Sequence, residues 1–334
     1  MFRNKVLSIF MLISIIMIVG IISVNAGSVT LKLGNKEAEL HHESVALKKF
    51  SELVEEKTNG EIKIENYYKE VLGTPEVQLQ NVIQGVQDFY VVGYYVLEKF
   101  IPDFKSTELL YFFKDRDHFK KFLLSDIVAE WEKELLEKTG LRVISTDRNW
   151  WLGPYRAMCS KKPILSVEDL NGLRFRAPDS KTVIRIWQGL GCNVTVVPWS
   201  EVYLALSQGL VDAAEGTIMD MHYEKFYEVA PNITITNSKF QQACIFMNNE
   251  RFESLTKDQQ KAIYEAAKEA GDYCTKLLYD EVDKALDDMK SKGAIIHEVD
   301  LSTWQEKART VLNEMEEEGF ITKGLMERID KLAQ

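Results

Sequence analysis

The chain has 334 residues, 46% of them hydrophobic, and carries 51 acidic against 41 basic side chains for a formal net charge of −10. That balance argues against nucleic acid or an anionic membrane surface as a partner, since both reward a basic patch. It leaves small anions open, because a few buried arginines set the field inside a narrow cleft whatever the outer surface carries.

Arg3 and Lys5 precede an apolar run from Val6 to Ile22, and Val24-Asn25-Ala26 offers small residues at cleavage spacing. Residues 1–26 are therefore expected to be a secretory signal peptide cleaved near Ala26, which places the mature chain in the periplasm. A retained membrane anchor is the alternative, because the run approaches the length of a bilayer span, but the cleavage-like ending weighs against it. Loss of the two basic residues takes the formal charge to about −12.

Val29 to Leu33 alternates as a short strand, and helical periodicity runs from about Ser44 to Lys57, stopping at Asn59-Gly60. Ile62 to Tyr67 reads as the next strand. Pro75 opens a helix that Gly85 ends, and Phe89 to Val92 is a third strand. This βαβαβ order predicts a parallel sheet with flanking helices. A second run begins near Arg142 with a long strand reaching toward Met158. Ser166 and Asp169 form a capping box, Gly172 stops that turn, and the strand bearing Arg174 and Arg176 follows. A helix spans about Lys181 to Leu190, Val194 to Val197 is a strand broken by Pro198, Ser200-Glu201 opens another helix, and Leu210 to Ala214 closes the unit. Two such halves imply a cleft between lobes.

Gln241 to Met247 reads as a further strand, and Lys257 to about Lys290 as one helix with a bend expected at Gly271. At 1.5 Å per residue it would reach roughly 50 Å and brace both lobes. A coiled coil is the alternative, but its apolar positions do not keep a strict heptad. The four cysteines, Cys159, Cys192, Cys244 and Cys274, have no metal-ligand spacing, and disulfides and buried free thiols both stand as readings.

Strand alternation throws Arg174 and Arg176 of Gly172-Leu-Arg-Phe-Arg-Ala-Pro178 onto one face. A guanidinium fixed at a strand end presents a planar fork that meets both oxygens of a carboxylate. A solvated strand face is the simpler reading of both; it is kept for Arg174, and Arg176 is the candidate receptor that the resemblance below singles out. Ligands in such sheets bind at the carboxyl ends of parallel strands, which nominates Tyr94 and Tyr95 after the third strand and Lys36, with Asn35 and Glu37, after the first. Trp150 and Trp151 are adjacent in an expected strand, so one of the two must leave the core face, and Trp151 is assigned to the cleft. His42, of His41-His42-Glu43, is expected to reach the cleft as a hydrogen-bond donor. A metal or hydrolase reading of that trio is disfavoured, since adjacent histidines do not share a helix face and no HExxH occurs.

The blocks VEDLNGLRFRAP (167–178), GCNVTVVPWSEVYLALSQGLVDAAEG (191–216) and KFYEVAPNITIT (225–236), with KFSELVEEKTNGEIKIENYYKEVLG (49–73), resemble the extracytoplasmic solute receptors of TRAP transporters, the DctP-type family. The resemblance covers essentially the whole mature chain. It implies an α/β periplasmic-binding-protein (Venus-flytrap) fold of two lobes, each a mainly parallel sheet flanked by helices, with a long lobe-spanning helix. The lobes are placed at 27–153 plus 242–281 and at 154–241 plus 282–334. By the same resemblance Arg176 falls on the family's carboxylate-binding arginine, Arg156 on a second arginine used beside it, Trp199 on an aromatic set against the ligand, and Glu215 on an acidic residue of the site.

Gly216 stands where the family usually has a ligand-bonding Asn, which leaves three readings open: room for a bulkier acid, an exposed backbone N–H, or replacement by Thr217. Gly93 likewise has no side chain where sialic-acid receptors carry an acidic one. The resemblance implies a small organic acid as ligand, the small and large membrane subunits of a TRAP transporter as partners, a monomer, and no cofactor, metal or catalytic residue. An exported sensor without a permease is the alternative, and an exported metal hydrolase a more distant one.

Overall fold

The computed structural model describes residues 28–154 and 156–333. The signal-peptide expectation for 1–26 lies outside the described residues. The first lobe opens with β1 (Val29–Asn35), α1 (His42–Lys57), β2 (Ile62–Tyr67), α2 (Pro75–Ile83) and β3 (Phe89–Val92). Two 3₁₀ segments, Tyr94–Lys99 and Pro102–Glu108, lead to α3 (Arg116–Leu123), α4 (Asp126–Thr139) and β4 (Leu141–Val143). The second lobe holds β5 (Arg156–Ser160), β6 (Arg174–Ala177), α5 (Lys181–Gly189), β7 (Asn193–Val196), α6 (Val202–Gln208), β8 (Ala213–Thr217), α7 (Ile218–Tyr223) and β9 (Asn232–Ile235). The chain returns for β10 (Cys244–Asn248) and α8 (Asn249–Glu253), then runs along α9 (Lys257–Ser291) to β11 (Ile295–Glu298), α10 (Ser302–Glu317) and α11 (Leu325–Asp330).

The strand orders are β2-β1-β3-β10-β4 in one sheet and β11-β9-β5-β8-β6-β7 in the other. Both sheets are mixed: each keeps parallel pairs from its βαβαβ unit and adds two antiparallel pairings. β10 pairs antiparallel with β3 and β4, and β5 pairs antiparallel with β8 and β9. The physical reason is connectivity: β10 enters its sheet from the opposite lobe, so it arrives running against the βαβαβ unit it completes.

The long strand expected from Arg142 to Met158 is instead two short strands, because the chain between them passes from one sheet to the other and cannot stay paired with either. Within that crossing a bridge between Trp151 and Gln242, and a bond from Gln242 Nε2 to Arg148 O at 2.7 Å, tie it to the return crossing that precedes β10. Trp150 and Trp151 are both buried, in the two different apolar clusters, so neither had to leave the interior. Trp150 Nε1 donates to Ala267 O at 2.9 Å and Asn149 Nδ2 to Lys268 O at 2.8 Å, docking the crossing on the middle of α9. Gly271 therefore serves close approach, not a bend assignment. A Cβ there would lie 2.2 Å from Asn149 Oδ1 and 2.6 Å from Trp150 Nε1, while the helix runs unbroken for 35 residues.

α9 packs on α1 in one lobe and on α7 in the other, so it braces both as expected. Residues 282–334 do not all stay with the second lobe, however. The final turn, 331–333, packs on α3, and His118 Nε2 lies 2.9 Å from the carbonyl oxygen of buried Ile329. All four cysteines are buried free thiols.

The lobes meet face to face across specific polar contacts. Glu70 accepts from Ser200 Oγ at 2.6 Å and from its N–H at 3.2 Å. Glu98 accepts from Thr182 Oγ1 at 2.6 Å and Lys181 N at 2.8 Å, placing a carboxylate on the first turn of α5, where the helix dipole favours it. Both glutamates belong to the first lobe and all their partners to the second, so these bonds exist only when the cleft is closed. Small-angle scattering of a Glu70→Ala/Glu98→Ala double variant should give a larger radius of gyration than the parent; identical curves would mean these contacts do not hold the lobes together.

Candidate functional site: the interlobe cleft

The facing lobes line a cleft that opens to solvent at its mouth. Arg176 reaches it from β6, one residue before the strand ends. Its Nε donates to Val197 O at 2.9 Å, which fixes the plane of the fork. Among the described residues its two terminal nitrogens make no hydrogen bond and no carboxylate pairs with it. Burial pulls its pKa down to about 10, with Tyr95 and Glu70 opposing that fall and the like charge of Arg156 adding to it. Arg174, on the same strand face but outside the cleft, is exposed and closed by Asp212 at 2.6 and 2.7 Å, as a solvated face should be.

Arg156 opens β5. The antiparallel register sets Arg156 opposite Thr217 and Met158 opposite Glu215, so Arg156 and Glu215 are diagonal neighbours on one face. Arg156 Nη2 donates to Glu215 Oε2 at 3.0 Å, and Nη1 donates to Gln241 Oε1. Glu215 Oε1 also accepts from Thr236 Oγ1 at 2.9 Å and Ser238 Oγ at 2.5 Å. Both its oxygens are thus engaged in holding Arg156 and the β9–β10 crossing.

Lys36 follows β1 and bonds Glu37. Its Nζ lies 4.2 Å from the centre of the Trp199 ring, and the Arg176 guanidinium carbon lies 5.2 Å from that ring, so one indole carries a cation from each lobe. Burial would lower the Lys36 pKa, but Glu37 and Asp220 outweigh it and the net direction is upward. Tyr94 also lines the cleft, starting a 3₁₀ turn rather than ending a strand, with its ring stacked at 5.9 Å on Phe104.

Four nominated residues do not line the cleft: Asn35 bonds Ser44 and Glu37 bonds Lys36, both buried, and His42 and Trp151 face elsewhere. His42 turns toward the crossing segment, its Nε2 3.3 Å from Trp151 O, because the first turn of α1 points it away from the second lobe. Trp151 is covered by the Arg116 guanidinium at 4.0 Å and by Phe119, so it supports the wall from behind. The histidine that does face the second lobe is His41, which caps α1 and lies 3.5 Å from Asp220 Oδ1.

Gly216 does not open space. A Cβ there would meet Asp220 Oδ2 and Met221 Cε, each at 2.9 Å, so the volume of a side chain is already filled from α7. Thr217 is not a free replacement either, since its hydroxyl accepts from Asp220 N at 3.1 Å while Asp220 accepts from Thr217 N at 2.5 Å. Asp220 is the residue that sequence reasoning missed. Its signal was present as a capping box, Thr217-x-x-Asp220. Tyr95, nominated together with Tyr94, lines the cleft, and Gln241 and the buried pair Lys239–Glu108 line it unassigned.

Glu37, His41 and Asp220 bring one ligand-type atom each within 4.8 Å of one another. The Lys36 ammonium bonded to Glu37 already supplies the positive charge that this trio faces. Behind it, burial and the like charge of Glu37 push the Glu43 carboxyl up to about 7. His41 is raised as well: burial opposes the shift, and Glu37 and Asp220 overcome it. His42 is held well below its ordinary 6.5 by burial and by His41.

For the raised pair the folded protein keeps protons that the unfolded chain has released. Their stabilisation is complete below the unfolded values and lost as pH rises through the folded ones, whereas His42 changes the balance only below 6.5. The unfolding temperature should therefore fall as pH rises through about 7, and Glu43→Gln should flatten that fall; equal slopes in parent and variant would remove Glu43 from the effect.

Residues 33–318 match the model of the family described as bacterial extracellular solute-binding protein, family 7 (DctP). A solute-binding protein of Sulfitobacter sp. strain NAS-14.1 is 31% identical over 258 residues, 77% of each chain. The C4-dicarboxylate-binding periplasmic protein DctP of Rhodobacter capsulatus is 30% identical over 80% of this chain and 81% of its own. Among solved structures, a TRAP periplasmic solute binding protein from Ochrobacterium anthropi with bound L-fuconate superposes with a TM-score of 0.85 at 25% identity, covering 92% of this chain and all of that one.

Proposed function

We infer that this chain, which belongs to the bacterial extracellular solute-binding proteins of family 7, the DctP family, is the receptor of a TRAP-type transporter and closes its cleft on a small organic acid. It works in the periplasm as a monomer and hands the acid to the small and large membrane subunits. One observation carries the reading: Arg176 is buried at the lobe interface, lines the cavity, and has no carboxylate paired with it among the described residues. An unpaired buried charge is costly, and a carboxylate entering that cavity supplies the missing partner through charge-assisted hydrogen bonds.

The role of each neighbour follows from its contacts. Arg156, held by Glu215 and Gln241, supports the second side of the ligand, and Trp199 with Lys36 packs and polarises the opposite wall. Closure works by differential affinity. The open form presents Arg176 to water, the closed form presents it to the acid, and the ligand shifts the equilibrium by exactly that difference in interaction. The lobes hinge about the two crossing segments, between β4 and β5 and between β9 and β10, with α9 as the brace.

The acid retained by gently purified protein, identified by native mass spectrometry, provides the ligand for titration calorimetry. Arg176→Met should lose about 2 to 5 kcal/mol of binding, roughly thirtyfold to a few thousandfold. The same variant without ligand should unfold at no lower temperature than the parent, since it removes an uncompensated charge. Arg174→Ala should bind as the parent does. Unchanged affinity in Arg176→Met would remove Arg176 from the site.

A further inference from the structure

The charges that line the cleft go beyond the presence of a carboxylate receptor and bear on how many charges the ligand carries. Four cations and three acids line it. Lys36 is bonded by Glu37, Lys239 by Glu108 and Arg156 by Glu215, so three of the four cations are neutralised by protein carboxylates. The paired side chains are each about nine-tenths or more buried, so these are closed pairs rather than surface contacts in exchange with water. Arg176 alone among the described lining cations has no acid. Asp220 adds a carboxylate to the wall, packed against Gly216, with His41 as its facing partner. Burial would raise the Asp220 pKa, yet His41 and Lys36 hold it well below the carboxylate range, so it stays an anion.

We propose that the ligand is a monoanion: a hydroxylated acid with one carboxylate on Arg176 and an uncharged remainder, with dicarboxylates and phosphate esters excluded by the closed ion pairs and by Asp220. This rests on the receptor reading above. A second anionic group would find no free cation in the described lining and would face Asp220 or Glu215, a like-charge juxtaposition in a poorly hydrated space. An uncharged, hydroxylated remainder has partners instead. Trp199 Nε1 is buried without a hydrogen bond, Arg156 Nε likewise, and the Tyr95 side chain lines the cleft close enough to Lys36 and Arg176 for both to act on its ionisation. Asp220 and the three paired acids are thus specificity residues, which act by keeping cations unavailable.

Two measurements test the proposal. First, the acid that copurifies with the protein, identified by native mass spectrometry, should contain one ionisable acid group; a diacid or a phosphate ester would overturn the proposal while leaving the carboxylate receptor standing. Second, calorimetry is run with L-fuconate, D-glucuronate, succinate, sn-glycerol 3-phosphate and the neutral sugar L-fucose on the parent, on Glu108→Gln and on Glu215→Gln. In the parent at least one of the two sugar monoacids, or the copurified acid, should bind tenfold or more tighter than succinate or the phosphate. Either charge-releasing variant that folds should shift that preference toward succinate by about tenfold.

Succinate or the phosphate binding as tightly as the monoacids in the parent, or no shift in a folded variant, would overturn the monoanion assignment. Tighter binding of L-fucose than of every acid would instead bring down the receptor reading on which the assignment rests.

Discussion

A guanidinium taken out of water with no anion beside it costs several kcal/mol, and in the cleft that cost falls on Arg176, while the other described cations of the lining are paired. The geometry around Arg176 fixes it in place. β6 delivers the side chain at its carboxyl end, Val197 O fixes the fork by a single bond to Nε, and the Trp199 ring restrains the guanidinium from the side without competing for its donors. The terminal nitrogens are left for a partner that comes from solution. Closure of the two lobes, and the stability of the closed form, depend on how that charge is compensated.

The frame that makes closure a defined motion is built from few parts. Two crossing segments run side by side, joined at the Trp151–Gln242 bridge, and the first is seated on the middle of α9 by Trp150 and Asn149. Gly271 permits that seating, since any side chain there would collide with both. Because α9 packs on both lobes and the crossings dock on its centre, the ends of the lobes have the longest lever. Glu70 and Glu98 bond across the lobe interface, so a rotation that opens the cleft must break their contacts.

Much of the fold was legible from periodicity alone. β2 and β3 match their expected limits residue for residue, and α1 and α9 fall within two residues of theirs, because each carries an uninterrupted apolar period closed by cap residues or glycine. The misplaced elements share one cause. The expected strand from 142 to 158 and the expected strand at 210–214 both contain β-prone residues, but strand limits depend on where a pairing partner lies. Leu210 remains exposed after Gly209 in left-handed conformation, and the ladder with β5 begins only at Ala213. The same shift carries Glu215 and Gly216 into the strand, opposite Met158 and Ala157. The mixed pairing of the sheets was invisible for an equivalent reason, since the direction of β10 is set by which lobe the chain comes from.

Within the site, the sequence by itself determined which residue types end which strands: Arg176 after an alternating run, Lys36 after β1, and the Trp199 turn after Pro198. These are local consequences of backbone period and of proline and glycine chemistry, so they survive without knowledge of the partner lobe. Only the tertiary structure decided which of these charges are free. Glu37, Glu108 and Glu215 are ordinary acids in the sequence, two of them far along the chain from the cations they neutralise. It also decided that His41 rather than His42 faces the second lobe, and that Asp220 fills the space beside Gly216. Charge pairing and volume are properties of distances between side chains that the chain brings together only on folding, and no one-dimensional pattern records those distances.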